Sequence, residues 1–318
     1  MKNKIVKTSV LILAAVSVFT LSGCRNTQPV VTPDTPEEQT PMIYSHVAII
    51  GVDGGGNFFD KADTPNMDRI FANGATSYSA QAEIPTSSAE NWGAIIHGVA
   101  CDVHGFTNDS AAESSIDSDY PYPSVFKVIK QSIPNAEMCS VVNWWPIDKG
   151  LIEWDIGVHL LYECGDDLEV SEESVNMIND FCPALLFVQF DGLDGIGHVT
   201  GYGSQEYYDR LTEIDGYIGQ IYDAYDDLGV LDETLFIVVS DHGGTYCIDE
   251  NGIGSGSHGG TTPEEVTVFL GVAGKTVANT DLGAIRNRDA AAITAAALGI
   301  EIPQVWTSRV PDGLFTDR

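Results

Sequence analysis

The stretch "TLFIVVSDHGG", Thr234–Gly244, passes from an apolar, β-branched run straight into Ser240, Asp241, His242 and two glycines. A run with no polar face cannot lie half in water, so it predicts a strand buried on both sides, as in a parallel sheet covered by helices. "HVAIIGVDGGG" (His46–Gly56) and "ALLFVQFDGLDGIGH" (Ala184–His198) have the same form, an apolar strand ending at once in Asp and Gly. "EMCSVVNWW" and "EVTVFLGVAG" predict further strands. Helical patterns lie between them. "TPNMDRIFANG" offers Thr64 as N-cap, Pro65 at the first helical position and Gly74 as stop. From Ser204 to Gly229, Tyr208, Leu211, Ile214, Ile218, Ile221, Tyr222, Tyr225 and Leu228 recur at helical spacing. Such alternation predicts an α/β fold, a three-layer α/β/α sandwich around a mostly parallel sheet, with ligands bound beyond the carboxyl ends of the strands. Asp53, Asp191 or Asp194, and Asp241 then converge on one edge.

Carboxylates gathered without a counter-charge raise one another's pKa, and a cation removes that cost. Histidines stand where a cation needs them: His198 four residues after Asp194, His242 beside Asp241, and His258 within "GSGSHGG". Mixed Asp and His ligands without cysteine suit zinc, manganese or iron better than calcium. A single Asp at a strand end can equally be a turn or cap residue, but the group together points to a two-metal site.

Near these strands, "PTSSAENWG" (Pro85–Gly93) places Thr86, Ser87 and Ser88 in a row before an apolar helical run. One hydroxyl can cap the helix, and any of the three is a candidate nucleophile at a helix N-terminus.

The chain opens with Lys2, Lys4 and Lys7, an apolar run from Val10 to Leu21 and "LSGC" ending at Cys24. Residues 1–23 predict a secretion signal, too short to span as a transmembrane helix. Its ending resembles a bacterial lipobox, which implies an exported lipoprotein anchored to a membrane through lipid on Cys24. Residues 24–44, rich in Pro and Thr, predict a flexible tether, and residues 45–318 one folded domain. The formal net charge is -31, which argues against a nucleic-acid polymer as partner but leaves room for small phosphate esters at a metal. Cys101, Cys139, Cys164, Cys182 and Cys247 allow one or two disulfides with a thiol left over.

Taken together, "VDGGG", "SSAENWGAIIHG" followed by "HGFTND", "NWWPI", "DGIGHVTG", "SDHGG" and "SHGG", with the late "RDAAAITAAALGIEIP", resemble the alkaline phosphatase superfamily, in particular its type I phosphodiesterase/nucleotide pyrophosphatase branch. The resemblance runs from His46 to about Trp306. It implies two divalent metals, zinc or manganese, with Asp194, His198 and His258 on one and Asp53, Asp241 and His242 on the other, which also takes the nucleophile oxygen. It further implies a nucleophile three residues before an Asn that holds phosphoryl oxygens; with Asn91 as that Asn, the nucleophile is Ser88, acting through a phosphoseryl intermediate. Asp191 ranks below Asp194 as an outer or alternative ligand. The implied substrate is a small phosphodiester or a nucleotide pyrophosphate-type ester.

A sulfatase is disfavoured because "AENWG" follows Ser88 where that branch has a C/S-x-P-x-R context. A phosphomonoesterase of the alkaline phosphatase kind is the alternative. Against it, the candidate bases before residue 200 are few (Lys61, Arg69, Lys127, Lys130 and Lys149), and a diester needs less compensation. An inactive, lipid-anchored metal-binding protein is a further alternative, opposed by the retained Ser88, Asn91 and six ligands. Residues 106–123 and 151–173 are the expected pocket walls, and Trp92, Trp144, Trp145 and Tyr122 are candidates to stack on a base or to pack in the core.

Overall fold

The computed structural model describes residues 43–161 and 164–316; the expected signal 1–23, Cys24 and nearly all of the expected tether lie outside the described residues. Tyr44, at the tether's expected end, already belongs to the core: it is buried, and its hydroxyl accepts from the Thr276 amide at 2.7 Å.

The strands are β1 His46–Val52, β2 Ala75–Gln81, β3 Met138–Val142, β4 His159–Leu161, β5 Leu185–Phe190, β6 Thr234–Ser240, β7 Cys247–Ile248, β8 Gly254–Ser255, β9 Thr267–Ala273 and β10 Thr280–Asp281. The helices are α1 Pro65–Phe71, α2 Ser88–His97, α3 Cys101–His104, α4 Asn108–Glu113, α5 Val125–Ser132, α6 Asp167–Phe181, α7 Gly192–Thr200, α8 Gln205–Asp227, α9 Pro263–Val266 and α10 Asp289–Ala297. Eight strands form one sheet in the order β10-β2-β9-β6-β1-β5-β3-β4, and β7 pairs with β8 in a separate hairpin. The sheet is mostly parallel; β9 alone runs against its neighbours β6 and β2. The chain leaves β6 and returns to β9 on the same edge, through the β7–β8 hairpin and α9, and that return fixes the reversed direction.

Successive strand residues face opposite sides. Val47, Ile49, Phe187, Ile237 and Val239 share a core with α2, α5 and α10. Ala48, Ile50, Val52, Val188, Phe190, Phe236 and Val238 share the other with α1, α6 and α8. Both sheet faces are therefore covered, which is why these strands read as unbroken apolar runs, and each fully buried Ile, Val or Phe contributes about 1.5–3 kcal/mol.

Several local expectations change. Thr64 stands before α1, but its hydroxyl donates to the Phe59 carbonyl and caps nothing. Leu228 ends α8 exposed, while Tyr207 and Tyr217 add to its buried face. No disulfide forms among the described residues: Cys101, Cys139, Cys164, Cys182 and Cys247 are all free thiols, spread over separate elements. Residues 151–173 supply β4 and the start of α6, so much of that expected pocket wall is sheet and covering helix.

Candidate active site

β6, β1 and β5 are adjacent and in register, with Val52 opposite both Ser240 and Phe190. Their next residues, Asp241, Asp53 and Asp191, therefore emerge side by side at the carboxyl edge. Gly54 makes the crowding possible: its φ is +63°, and a β-carbon there would stand 2.6 Å from the Asp194 carboxylate. Gly51 does the same for Trp92, whose ring would lie 2.4 Å from an added β-carbon. Trp92 is consequently core, and its indole N–H donates to Asp53 Oδ2 at 2.8 Å.

Gln189 adds a second donor to Asp53 Oδ2 at 3.0 Å and one to Asp191 at 3.2 Å. Asp241 Oδ1 accepts from the amides of Gly54 and His242 at 3.0 and 2.8 Å. The remaining oxygens, Asp53 Oδ1 and Asp241 Oδ2, are buried with no hydrogen-bond partner. Both face His242 Nε2, at 3.5 and 3.2 Å.

Each site histidine turns Nδ1 to a backbone carbonyl: His242 to Gly243 at 3.0 Å, His258 to Thr86 at 2.7 Å and His198 to Gly256 at 3.2 Å. A carbonyl only accepts, so Nδ1 carries the proton and each Nε2 presents a lone pair to the site. The Nε2 atoms of His198 and His258 stand 3.2 Å apart. Asp194 lies between the groups, 3.1 Å from His198 Nε2 and 3.7 Å from His258 Nε2, and Tyr202 donates its hydroxyl to it at 2.5 Å.

The titrations carry the same strain. Burial, then the charges of Asp241, Asp194 and Asp191, push the Asp53 carboxyl well above the usual range. Burial, with Asp194 beside it, pushes Asp241 up against its two amide donors. Asp191 is raised to about 6 by burial and Asp194, and His242 is pushed down to about 3 by burial and His258. Asp194 is opposed by its own burial but held down to about 2 by His198, His242, His258 and Tyr202. Facing lone pairs and orphaned carboxylate oxygens are the surroundings of a cation, so the residues present fit divalent metals.

Two compact groups of ligand atoms result: Asp194, His198 and His258, and Asp53, Asp194 and His242, each with all atoms within 4.8 Å. Asp241 joins the second through His242. The structure thus brings together all six expected ligands, with one change: Asp194 belongs to both groups. Asp191 stands outside both.

Ser88 is buried at the first turn of α2, its hydroxyl 3.4 Å from His242 Nε2. It is the first helical residue; Ser87 holds the cap position with no side-chain cap bond. Thr86 is occupied elsewhere, donating to the Gly260 carbonyl and accepting from the Gly259 amide. Asn91 departs from expectation. Its amide is wholly buried, bonded to the Glu83 amide and Asn287 through Oδ1 and to the Ser87 and Pro85 carbonyls through Nδ2, so it braces the loop. The side chain tied to the residue after Ser88 is that of Asn108, which is exposed and whose Oδ1 accepts from the Ala89 amide at 2.9 Å. Asn108 lies within "HGFTND", between Thr107 and Asp109.

Comparison with known proteins follows this geometry. A family model described as "Type I phosphodiesterase / nucleotide pyrophosphatase" matches residues 147–254. Human ectonucleotide pyrophosphatase/phosphodiesterase 5 superposes with TM-score 0.67 at 14% identity, over 81% of this chain and 96% of that one. Over residues 147–254 the chain is thus similar to the type I phosphodiesterase/nucleotide pyrophosphatase family, and its fold is that of the ectonucleotide pyrophosphatase/phosphodiesterase structure. The murine counterpart, in an inactive Thr-to-Ala form in complex with AMP, superposes with TM-score 0.63 at 14% identity, over 83% of this chain and 97% of that one. These neighbours establish the shared fold. GPI ethanolamine phosphate transferase 2 of Aspergillus fumigatus is 34% identical over 83 residues, 26% of this chain and 10% of that protein. GPI ethanolamine phosphate transferase 3 of Eremothecium gossypii is 33% identical over 79 residues, 25% of this chain and 6% of that protein. The matched segment spans a tenth or less of those transferases' length.

Proposed function

We propose that the protein hydrolyses small phosphodiesters or nucleotide pyrophosphate-type esters, with Ser88 as nucleophile beside two divalent cations, zinc or manganese. The observation that carries this reading is the meeting of two orphaned carboxylate oxygens, those of Asp53 and Asp241, at His242 Nε2, itself 3.4 Å from the Ser88 hydroxyl at the head of α2. When bound, the cations make a serine alkoxide accessible at neutral pH and offset charge developing on the reacting oxygens.

The chain's own groups do the rest. Ser88 Oγ attacks phosphorus, the bond to the departing alcohol or nucleotide breaks, and water then cleaves the phosphoseryl ester and frees Ser88. The first-turn amides of α2 and the exposed Asn108 amide face the incoming phosphoryl oxygens, where a helix N-terminus favours negative charge. His242 and Asp53, locked by Gly243, Trp92 and Gln189, fix where Ser88 Oγ sits.

Among the described residues no lysine or arginine side chain bonds to Ser88, Asn108 or the six ligand residues, which favours a singly charged diester over a monoester. The proposal includes export and anchoring through lipid on Cys24, from the sequence of residues 1–24. With metal-loaded enzyme, bis-p-nitrophenyl phosphate is expected to turn over faster than p-nitrophenyl phosphate. Ser88→Ala should lower turnover by ~10³-fold or more, while Ser87→Ala stays near the parent rate. Loss of activity in Ser87→Ala with none in Ser88→Ala would move the nucleophile, and a faster monoester would select the phosphomonoesterase alternative.

A further inference from the structure

The chain carries 46 acidic residues against 15 lysines and arginines, so a cluster of guanidinium groups needs a physical reason. Arg69 and Arg210 are spent in ion pairs with Asp223 and Asp167, both at 2.8 Å. Arg286, Arg288 and Arg309, the remaining arginines of residues 43–316, line a single cavity of about 410 Å³ with Gln81, Asp289 and Thr307. Their carboxylate supply is poor. Glu83 contacts Arg288 and stands 3.6 Å from Arg286 Nη1. Asp289 turns both oxygens to backbone amides, those of Arg286 and Arg309, each at 2.9 Å. The Arg309 side chain has no hydrogen bond or ion pair among the described residues, and Arg288 Nε is buried without a partner.

Like charges held together around a cavity repel. An oxyanion in the cavity offsets that repulsion, because guanidinium forks match carboxylate and phosphate oxygens. We propose that this cavity is a binding site for a small oxyanion, a carboxylate or a phosphate, gripped by Arg309 and Arg286 with the Arg288 guanidinium beside them. It is lined by bases where the metal site is lined by acids. It nevertheless lies close to that site: Asn287, between two of the arginines, donates to Asn91 Oδ1 at 2.9 Å and to the Asp241 carbonyl at 3.0 Å.

The test is equilibrium dialysis of the metal-loaded full chain against labelled inorganic phosphate and, separately, labelled malonate, at constant ionic strength. One saturable site is expected to survive Ser88→Ala and to weaken about tenfold or more in Arg309→Ala and in the half-exposed Arg286→Ala, with Arg309→Lys between. All variants should keep the parent's metal content, and the anion bound more tightly at the arginine-dependent site gives the ligand's class. Binding of both anions that is unchanged in Arg309→Ala and Arg286→Ala, or that never saturates beyond the metal site, overturns the proposal.

Discussion

The two halves of the candidate metal site differ in how much water they meet. Asp53, Asp241 and His242 are at most 1% exposed, whereas the His198 side chain is 46% exposed and that of His258 12%. The buried half is held by protein bonds, from Trp92 and Gln189 to Asp53, from two amides to Asp241 and from His242 to a carbonyl. The open half hangs on α7 and on a Gly-rich loop tied down by Thr86. Positional precision is concentrated around Ser88, and access is left to the other side.

That contrast can be broken most severely from inside. Asp241→Asn keeps the shape but removes a buried negative charge, so metal analysis should show loss of the ion nearest Ser88 and turnover should fall by about 10²-fold or more. An equal effect on both ions would mean the halves are not separable. From outside the damage is smaller. His198→Ala should weaken the open site by roughly 10–100-fold, and added imidazole should restore part of the activity because the gap faces solvent; no rescue would argue that the side is closed.

The mildest test is pH. Asp53 and Asp241 titrate above their unfolded values, so in metal-free protein their protonated forms favour the native state below about pH 4, and that advantage disappears as pH rises through the raised values. The melting temperature of chelator-treated protein should fall by a few degrees between pH 5 and pH 8, and metal-loaded protein should not follow. Asp194, held down to about 2, acts in the opposite sense, with its stabilisation lost only as pH falls through that value, outside this window.

The sheet and the acidic residues at its carboxyl edge were legible because both are written locally. A strand buried on two faces is an apolar run, and a carboxylate at its end needs only the next residue. The surroundings of Asn91 were not legible because spacing along a helix does not say whether a loop folds over it; here residues 83–87 return and bond its amide. A hydroxyl of Thr86, Ser87 or Ser88 was expected to cap α2, yet the bond to the Ala89 amide comes from Asn108, on another helix, a contact that no local pattern records. The direction of β9 and the free cysteines likewise depend on where distant segments land.

Asp194 also changes what a substitution means. The two oxygens of its carboxylate are divided, Oδ2 toward His198 and Oδ1 toward His258 and the Tyr202 hydroxyl, and Asp194 counts in both groups of candidate ligands. A substitution at residue 194 therefore removes a donor from both groups at once, so Asp194→Ala is expected to lower the content of both ions where Asp241→Asn spares the open one, and metal analysis of the two variants checks it.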